Sequence, residues 1–268
     1  MHRSIVILLL IIALFSTVSA LDNNLSPQQM QTADSIMEKY HIEYCCSTTA
    51  NKCIVEKPKC TIAPRLYDFA TWLVGINATP EDVIKQLNSR YEGFTSTKIT
   101  AIDTAHLQPA GKPTSPVVII AYVSANCPTC KREIGDLYNE VIFGKLWGKA
   151  RLIAKPYGGG IGNKALYAAA AEGTFWKLFM ALRKKKGTIK EEKDLIHFAD
   201  SIGIATEQFK KRLKDPETEK LRAAGKEEGK RNGITYIPEF YINGKKYSSS
   251  KFAYWITDAA LFEYGKQQ

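Results

Sequence analysis

The feature that most constrains this chain is an unbroken apolar run followed four residues later by two cysteines at a spacing of three. Val117-Val118-Ile119-Ile120-Ala121-Tyr122-Val123 is β-prone and has no polar alternation, the pattern of a central strand covered on both faces. Cys127-Pro128-Thr129-Cys130 then opens a helical pattern continued by Arg132, Glu133, Leu137 and Val141, and Arg151-Leu152-Ile153-Ala154 reads as a second strand. Strand, helix and strand in this order predict a parallel β-α-β unit.

The chemistry follows from the position of the thiols. A cysteine at a helix N-terminus meets unpaired backbone N–H groups and the positive end of the helix dipole, which favour the thiolate and lower its pKa from about 8.5. A spacing of three places Cys130 one turn on, on the same face, where the two sulfurs can bond. Pro128 suits the first turn, which needs no N–H from it. Three other readings fit less well. A zinc half-site needs a second pair at suitable spacing. Haem attachment needs a histidine after the second cysteine, where Lys131 stands. A purely structural bridge across so short a loop adds little stability.

Further along, Pro156 and Gly158-Gly159-Gly160 mark a loop without phosphate-loop spacing. Helical patterns fill roughly 163–230, including Ala165 to Leu182, Glu191 to Ile202 and Thr206 to Leu213. Tyr236 to Ile242 reads as a strand, Asn243-Gly244 as a tight turn, Lys246-Tyr247 as the return strand and about Lys251 to Tyr264 as a last helix. Before the CxxC, Thr95 to Asp103 alternates like a strand, and Gln108 to Pro116 reads as a loop. Ser26-Pro27 starts a helix to about Tyr40. A Cys-rich segment runs from Cys45 to Cys60, and Arg65 to Val74 has helical spacing. Thr79-Pro80-Glu81-Asp82 is a helix start, with Val83, Ile84, Leu87 and Tyr91 on one face and Gly93 as the stop.

The first residues read as an export signal: His2-Arg3, an apolar run from Ile5 to Phe15, and Val18-Ser19-Ala20 as a cleavage site. The apolar run is shorter than the about 20 residues a span requires, though an uncleaved anchor is the alternative. Residues 1–20 are therefore expected to be removed, giving a periplasmic or secreted chain. Export makes disulfides the default for the chain's 6 cysteines. The composition, 45% hydrophobic and 24% charged, is that of an ordinary globular protein. The net charge of +10 includes Arg183-Lys184-Lys185-Lys186 and Lys210-Lys211-Arg212. These runs read as solvated helix faces rather than a patch for acidic partners or an anionic membrane surface, and no nucleic-acid motif accompanies them.

Val117 to Val141 resembles the strand–CxxC–helix unit of the thioredoxin superfamily. Gly233-Ile234-Thr235-Tyr236-Ile237-Pro238-Glu239-Phe240 resembles the segment that carries the superfamily's cis-proline. With the helical insert, residues 95–268 resemble the DsbA-like branch. The resemblance implies a thioredoxin-like α/β domain with an insert over about 163–230, preceded by a small all-α Cys-rich module over 21–94. It implies an enzyme, a thiol–disulfide oxidoreductase with Cys127 and Cys130 catalytic and Pro128 and Thr129 as the active-site dipeptide. Pro238 would be cis beside Cys127, with Ile237 pairing through its backbone to the substrate chain. No cofactor is required; the partners implied are Cys-containing exported proteins and a membrane redox partner that recycles the pair.

The sequence departs from that pattern in two places. The acid usual six residues before the first cysteine is Ala121 here, so the proton acceptor is missing or differently supplied. Lys155 is a candidate for that task, or else a surface strand-end lysine. Thr129 brings no positive charge, so Cys127 is expected to be less acidic than in DsbA. Cys45, Cys46, Cys53 and Cys60 are expected to form two disulfides of unknown pairing, with metal binding by four thiolates as the other reading. The stretch from Arg65 to Phe94 bears some resemblance to the helical periplasmic domain of CcmH, without its CxxC. That would make it an adaptor for a partner or a second copy of the chain. A metal-binding or client-holding thiol chaperone is the alternative to the enzyme.

Overall fold

The computed structural model describes residues 25–204 and 206–268; the expected signal, residues 1–20, lies outside them. The chain divides into two compact units, Met1–Lys85 and Gln86–Gln268. Among the described residues no helix is long and apolar enough to cross a membrane.

In the first unit, α1 (Pro27–Met37) starts on a reciprocal cap. Ser26 Oγ accepts the Gln29 N–H at 3.2 Å, and Gln29 Oε1 accepts the Ser26 N–H at 2.9 Å, worth about 1 kcal/mol. A two-residue hairpin follows, β1 (His41–Ile42) against β2 (Thr48–Thr49), where the sequence led us to expect helices alone. α2 (Ala50–Glu56) and α3 (Ile62–Gly75) complete the unit, with α3 packed on α1 and α2. Ala33, Met37, Ile42, Leu66 and Phe69 form its buried core. α4 (Pro80–Thr95) runs past Gly93. It buries Val83, Leu87 and Phe94 and leaves Ile84 43% exposed, so the apolar face is rotated from the expected one.

The second unit is built on a four-stranded sheet of order β4-β3-β5-β6. β3 (Val117–Val123) lies in the middle, parallel to β4 (Ala150–Pro156) and antiparallel to β5 (Glu239–Ile242), which pairs with β6 (Lys245–Tyr247). α5 (Pro128–Ile142) connects β3 to β4. Among the described residues five helices separate β4 from β5: α6 (Ile161–Ala171), α7 (Phe175–Lys184), α8 (Glu192–Ser201), α9 (Glu207–Lys214) and α10 (Pro216–Arg231). The pattern from Ala165 to Leu182 is broken between α6 and α7, where Gly173 has a φ of 68°. α11 (Ala253–Gly265) closes the chain against α5 and the sheet. Asn243 and Gly244, with φ of 50° and 78°, make the mirror-image turn that suits a two-residue hairpin.

Two strand expectations need correction. Residues 96–109 form no strand. Thr100 N–H reaches Gly244 O at 2.9 Å and Asp103 N–H reaches a Glu228 carboxylate oxygen at 3.1 Å, so side chains and turns replace a ladder. Ile99, on the apolar side of the alternation, is 64% exposed; among the described residues only Ala110 bridges the free edge of β4, at Leu152. Likewise β5 begins at Glu239, not Tyr236, because Pro238 has no N–H to give to a ladder.

Tyr122 and Lys155 are register neighbours and so share one face of the sheet, while Ala121 points to the other. Lys155 is buried and donates to Glu228 Oε1 at 2.8 Å and to Asp103 O. Tyr122 Oη donates to the same carboxylate oxygen at 2.7 Å. Burial opposes the charge on Glu228, but the hydrogen bonds from Lys155 and Tyr122 outweigh it and hold the carboxyl below its usual range. Lys155 is thus neither a surface lysine nor an uncommitted proton carrier; it fastens α10 to the sheet. Lys155→Met removes the cationic partner of that carboxylate and should lower stability by about 2 to 3 kcal/mol, at or below the range for a fully buried broken pair because Glu228 is partly exposed and keeps Tyr122 Oη and the Asp103 N–H. Lys155→Met with Glu228→Met should recover most of the loss in urea unfolding; a single variant as stable as the parent would contradict the ion pair's role.

Candidate active site

The candidate site forms where β3 runs into α5. After Val123 the chain turns, and Cys127 N–H bonds Ser124 O at 3.1 Å. Asn163 of α6 fastens the turn: its Oδ1 accepts the Ala125 N–H at 2.9 Å, while its Nδ2 donates to Tyr157 O and Gly159 O. Gly162 permits that approach, since a Cβ there would lie 2.8 Å from the Ala125 Cβ.

Cys127 is the N-cap of α5, with extended backbone, and Pro128 occupies the first turn. Its Sγ takes the place of the usual capping oxygen and accepts the Cys130 N–H at 3.1 Å. Both thiols are free; Cys127 is half-buried and Cys130 buried. The Ile237–Pro238 peptide bond is cis, and Ile237 O lies 3.9 Å from Cys127 Sγ. The structure therefore brings together Cys127, Cys130, Ile237 and Pro238, from segments 110 residues apart. Pro128 is exposed and Thr129 half-buried at the lip of the helix.

The electrostatics separate the two thiols. The Cys127 thiol is lowered to about 6: the hydrogen bond with the Cys130 side chain contributes most, against an opposing effect of burial. The Cys130 and Thr129 backbone amides and the Lys251 cation add to the lowering. The Cys130 thiol is pushed up, by its hydrogen bond to Cys127 and by burial. One sulfur is prepared to carry charge at neutral pH and the other to keep its proton.

Several residues around the site gave no signal in the sequence. Lys251 lies 3.9 Å from the centre of the Tyr236 ring, and Tyr236 is 40% exposed. Glu239, next to Pro238, is buried, accepts from Ser248 Oγ at 3.1 Å, and has its carboxyl raised by burial. Glu133, one turn beyond Cys130, accepts the Ala253 N–H at 2.9 Å, so the helix bearing the cysteines caps α11. Lys251 and Tyr236 lie at no fixed offset from the CxxC, and the contacts of Glu133 with Ala253 and of Glu239 with Ser248 are made only in the closed fold. In the first unit, bonds join Cys45 to Cys60 and Cys46 to Cys53.

A thioredoxin family model matches residues 103–257, more than half of the chain. The chain belongs to the thioredoxin family. Among solved structures it is similar to the catalytic domain of ScsC from Proteus mirabilis, at 17% identity and a TM-score of 0.51, covering 68% of this chain and 98% of that one. It is similar to oxidised BdbD from Bacillus subtilis, at 17% identity and a TM-score of 0.52, covering 63% and 98%. A thioredoxin-like oxidoreductase from Silicibacter pomeroyi DSS-3 is 20% identical with a TM-score of 0.51, covering 61% and 94%. At such identities the likeness is one of fold, the DsbA-like form of thioredoxin with helices inserted in the sheet domain. The comparison with curated proteins finds no match.

A lowered thiol stays ionised until pH falls through its own pKa. Alkylation of the reduced protein by iodoacetamide should therefore be fast and flat above neutrality and fall with a midpoint near 6. Because that value is depressed, its stabilisation of the reduced form is complete above the ordinary thiol range, near 9, and fades as pH falls through about 6. Lys251→Met should move the midpoint up. A midpoint at an ordinary thiol value, about 8.5, would contradict the arrangement.

Proposed function

We propose that this protein is an exported thiol–disulfide oxidoreductase that exchanges disulfides with cysteine-containing proteins through Cys127 and Cys130. The observation that carries the reading is the half-buried Cys127 sulfur, at the N-cap of α5, beside the carbonyl of Ile237.

In the oxidising direction, a client thiolate attacks Cys127 Sγ of the Cys127–Cys130 disulfide. The S–S bond breaks, and Cys130 leaves and takes up a proton, as its raised affinity for one favours. A second client thiolate then attacks the client sulfur of the mixed disulfide and expels Cys127. The depressed pKa of Cys127 makes it a good leaving group. Two electrons pass from the client to the pair, and a membrane redox partner accepts them and restores the disulfide. The reducing direction runs the same steps backward, with Cys127 as nucleophile and Cys130 resolving the mixed disulfide.

Client selection falls to the loop beside Cys127. Ile237 O is 3.9 Å from the sulfur, so a client strand that pairs with the backbone of Ile237 would bring its own cysteine to the reacting atom. Lys251 and the exposed ring of Tyr236 border the same loop. Between them they supply a cation and an aromatic face to the residues flanking the client cysteine.

Trapping tests this role. Cys130→Ala should accumulate a mixed disulfide between Cys127 and a cysteine peptide or exported client, visible on non-reducing gels and released by reductant. Cys127→Ser should form none and should reduce disulfide exchange to background. A Cys130→Ala protein that forms no adduct with any client would rule out the activity, and loss of a bound metal in that variant instead would favour a holding role.

A further inference from the structure

Cys45, Cys46, Cys53 and Cys60 come from three different pieces of backbone, yet their sulfurs converge. All four Sγ atoms lie within 4.8 Å of one another, and those of Cys45 and Cys46, which are not bonded to each other, are 3.7 Å apart. Four thiolates at about 2.3 Å from a tetrahedral Zn(II) stand about 3.8 Å from each other. The unbonded Cys45–Cys46 pair already has that separation, and the two bonded pairs would part to it once reduced.

The backbone holds the set together by means other than the S–S bonds. The β1–β2 pairing, His41 with Thr49 and Ile42 with Thr48, closes the loop that carries Cys45 and Cys46. Ala50 N–H bonds Tyr40 O at 2.8 Å across the base of that loop. Cys53 is fixed within α2, and Asn51 of the same helix donates to Asp34 O of α1. Cys60 is tied by its N–H to Lys57 O at 2.8 Å and precedes Thr61, the N-cap of α3. Cys53 and Cys60 are buried at 0% and 5% exposure, and Cys45 and Cys46 are half-buried, so one side of the set is shielded and the other open for entry.

We propose that these four cysteines, when reduced, form a Zn(II) site, and that the metal-bound tetrathiolate and the two disulfides are alternative states of the same sulfurs. The set holds four sulfurs and no oxygen or nitrogen donor, which selects a thiophilic cation over a hard one. The conversion balances with a dithiol as reductant. Each bridge takes up two electrons and two protons and becomes two thiols, while one dithiol becomes a disulfide. Zn(II) then displaces the four thiol protons as the tetrathiolate forms. A disulfide oxidant reverses this: two disulfides of the oxidant accept the four electrons and become thiols, the two bridges re-form, and Zn(II) is released. The site is independent of any activity of Cys127 and Cys130.

The test uses the full chain carrying Cys127→Ser and Cys130→Ser, so that metal retained can be assigned to the four remaining cysteines. The protein is divided in two, one half oxidised and one reduced with a phosphine until all remaining thiols titrate. Each half is incubated with Zn(II) alone and desalted. The reduced half should keep about one Zn(II) per chain and the oxidised half less than about a tenth of that. Co(II) in place of Zn(II) should give the intense visible bands and sulfur-to-metal charge transfer of a tetrahedral tetrathiolate. Adding Cys45→Ser and Cys46→Ser should abolish both signals. Because the main comparison is between two redox states of one polypeptide, a folding defect in the last variant does not decide the outcome. The proposal is overturned if the reduced half keeps no more metal than the oxidised half, if the Co(II) spectrum shows oxygen or nitrogen ligands, or if the disulfides persist under the reductant.

Discussion

The position of the Cys127 sulfur at the N-cap of α5, held by the Cys130 side chain and by the Cys130 amide, decides what this molecule can do. A helix N-terminus must satisfy its first N–H groups, and here a sulfur rather than a serine or aspartate oxygen meets that need. The hydrogen bond from the Cys130 amide does two things together: it caps α5, and it favours the negative charge on the sulfur that does the capping. Nearly everything else in the second unit keeps that sulfur at the end of the helix and beside Ile237.

The supports act from different directions. β3 is paired on both sides, by β4 and β5, so the strand that delivers the turn before Cys127 has little freedom. Asn163 and Gly162 fix that turn from α6. The antiparallel register of β5 against β3, Glu239 opposite Tyr122, sets Pro238 and Ile237 immediately beyond the point where β3 gives way to the CxxC turn. Glu133 carries the order of α5 into the start of α11, two residues after Lys251. Behind the sheet, the Lys155–Glu228–Tyr122 group anchors α10, and thereby the end of the insert that leads back into the Pro238 loop.

Much of this was readable in the sequence because it rests on local chemistry. A continuous apolar strand, a cysteine pair at one helical turn, and Asn-Gly between two short strands each have a physical reason that does not depend on the rest of the chain. What could not be read depends on closure. The segment from Thr95 to Asp103 alternates, but alternation makes a strand only if a partner edge exists, and Ile99 finds solvent instead. Lys155 looks like a strand-end lysine until Glu228, 73 residues later, arrives to pair with it. Lys251 reaches the site only through long-range packing, and the partners of Glu133 and Glu239, the Ala253 N–H and Ser248 Oγ, are likewise set by closure. In the first unit, four cysteines allow several pairings, and only the crossing of the β1–β2 loop with α2 and α3 selects Cys45 with Cys60 and Cys46 with Cys53.

The reduction potential of the Cys127–Cys130 pair, measured by equilibration with glutathione at pH 7, tests most directly whether this cysteine pair is a working redox couple. Stabilising the Cys127 thiolate stabilises the reduced form, so the potential should lie above that of structural bridges, between about −270 and −120 mV. A potential below about −300 mV, the range of structural bridges that resist reduction, would contradict the account.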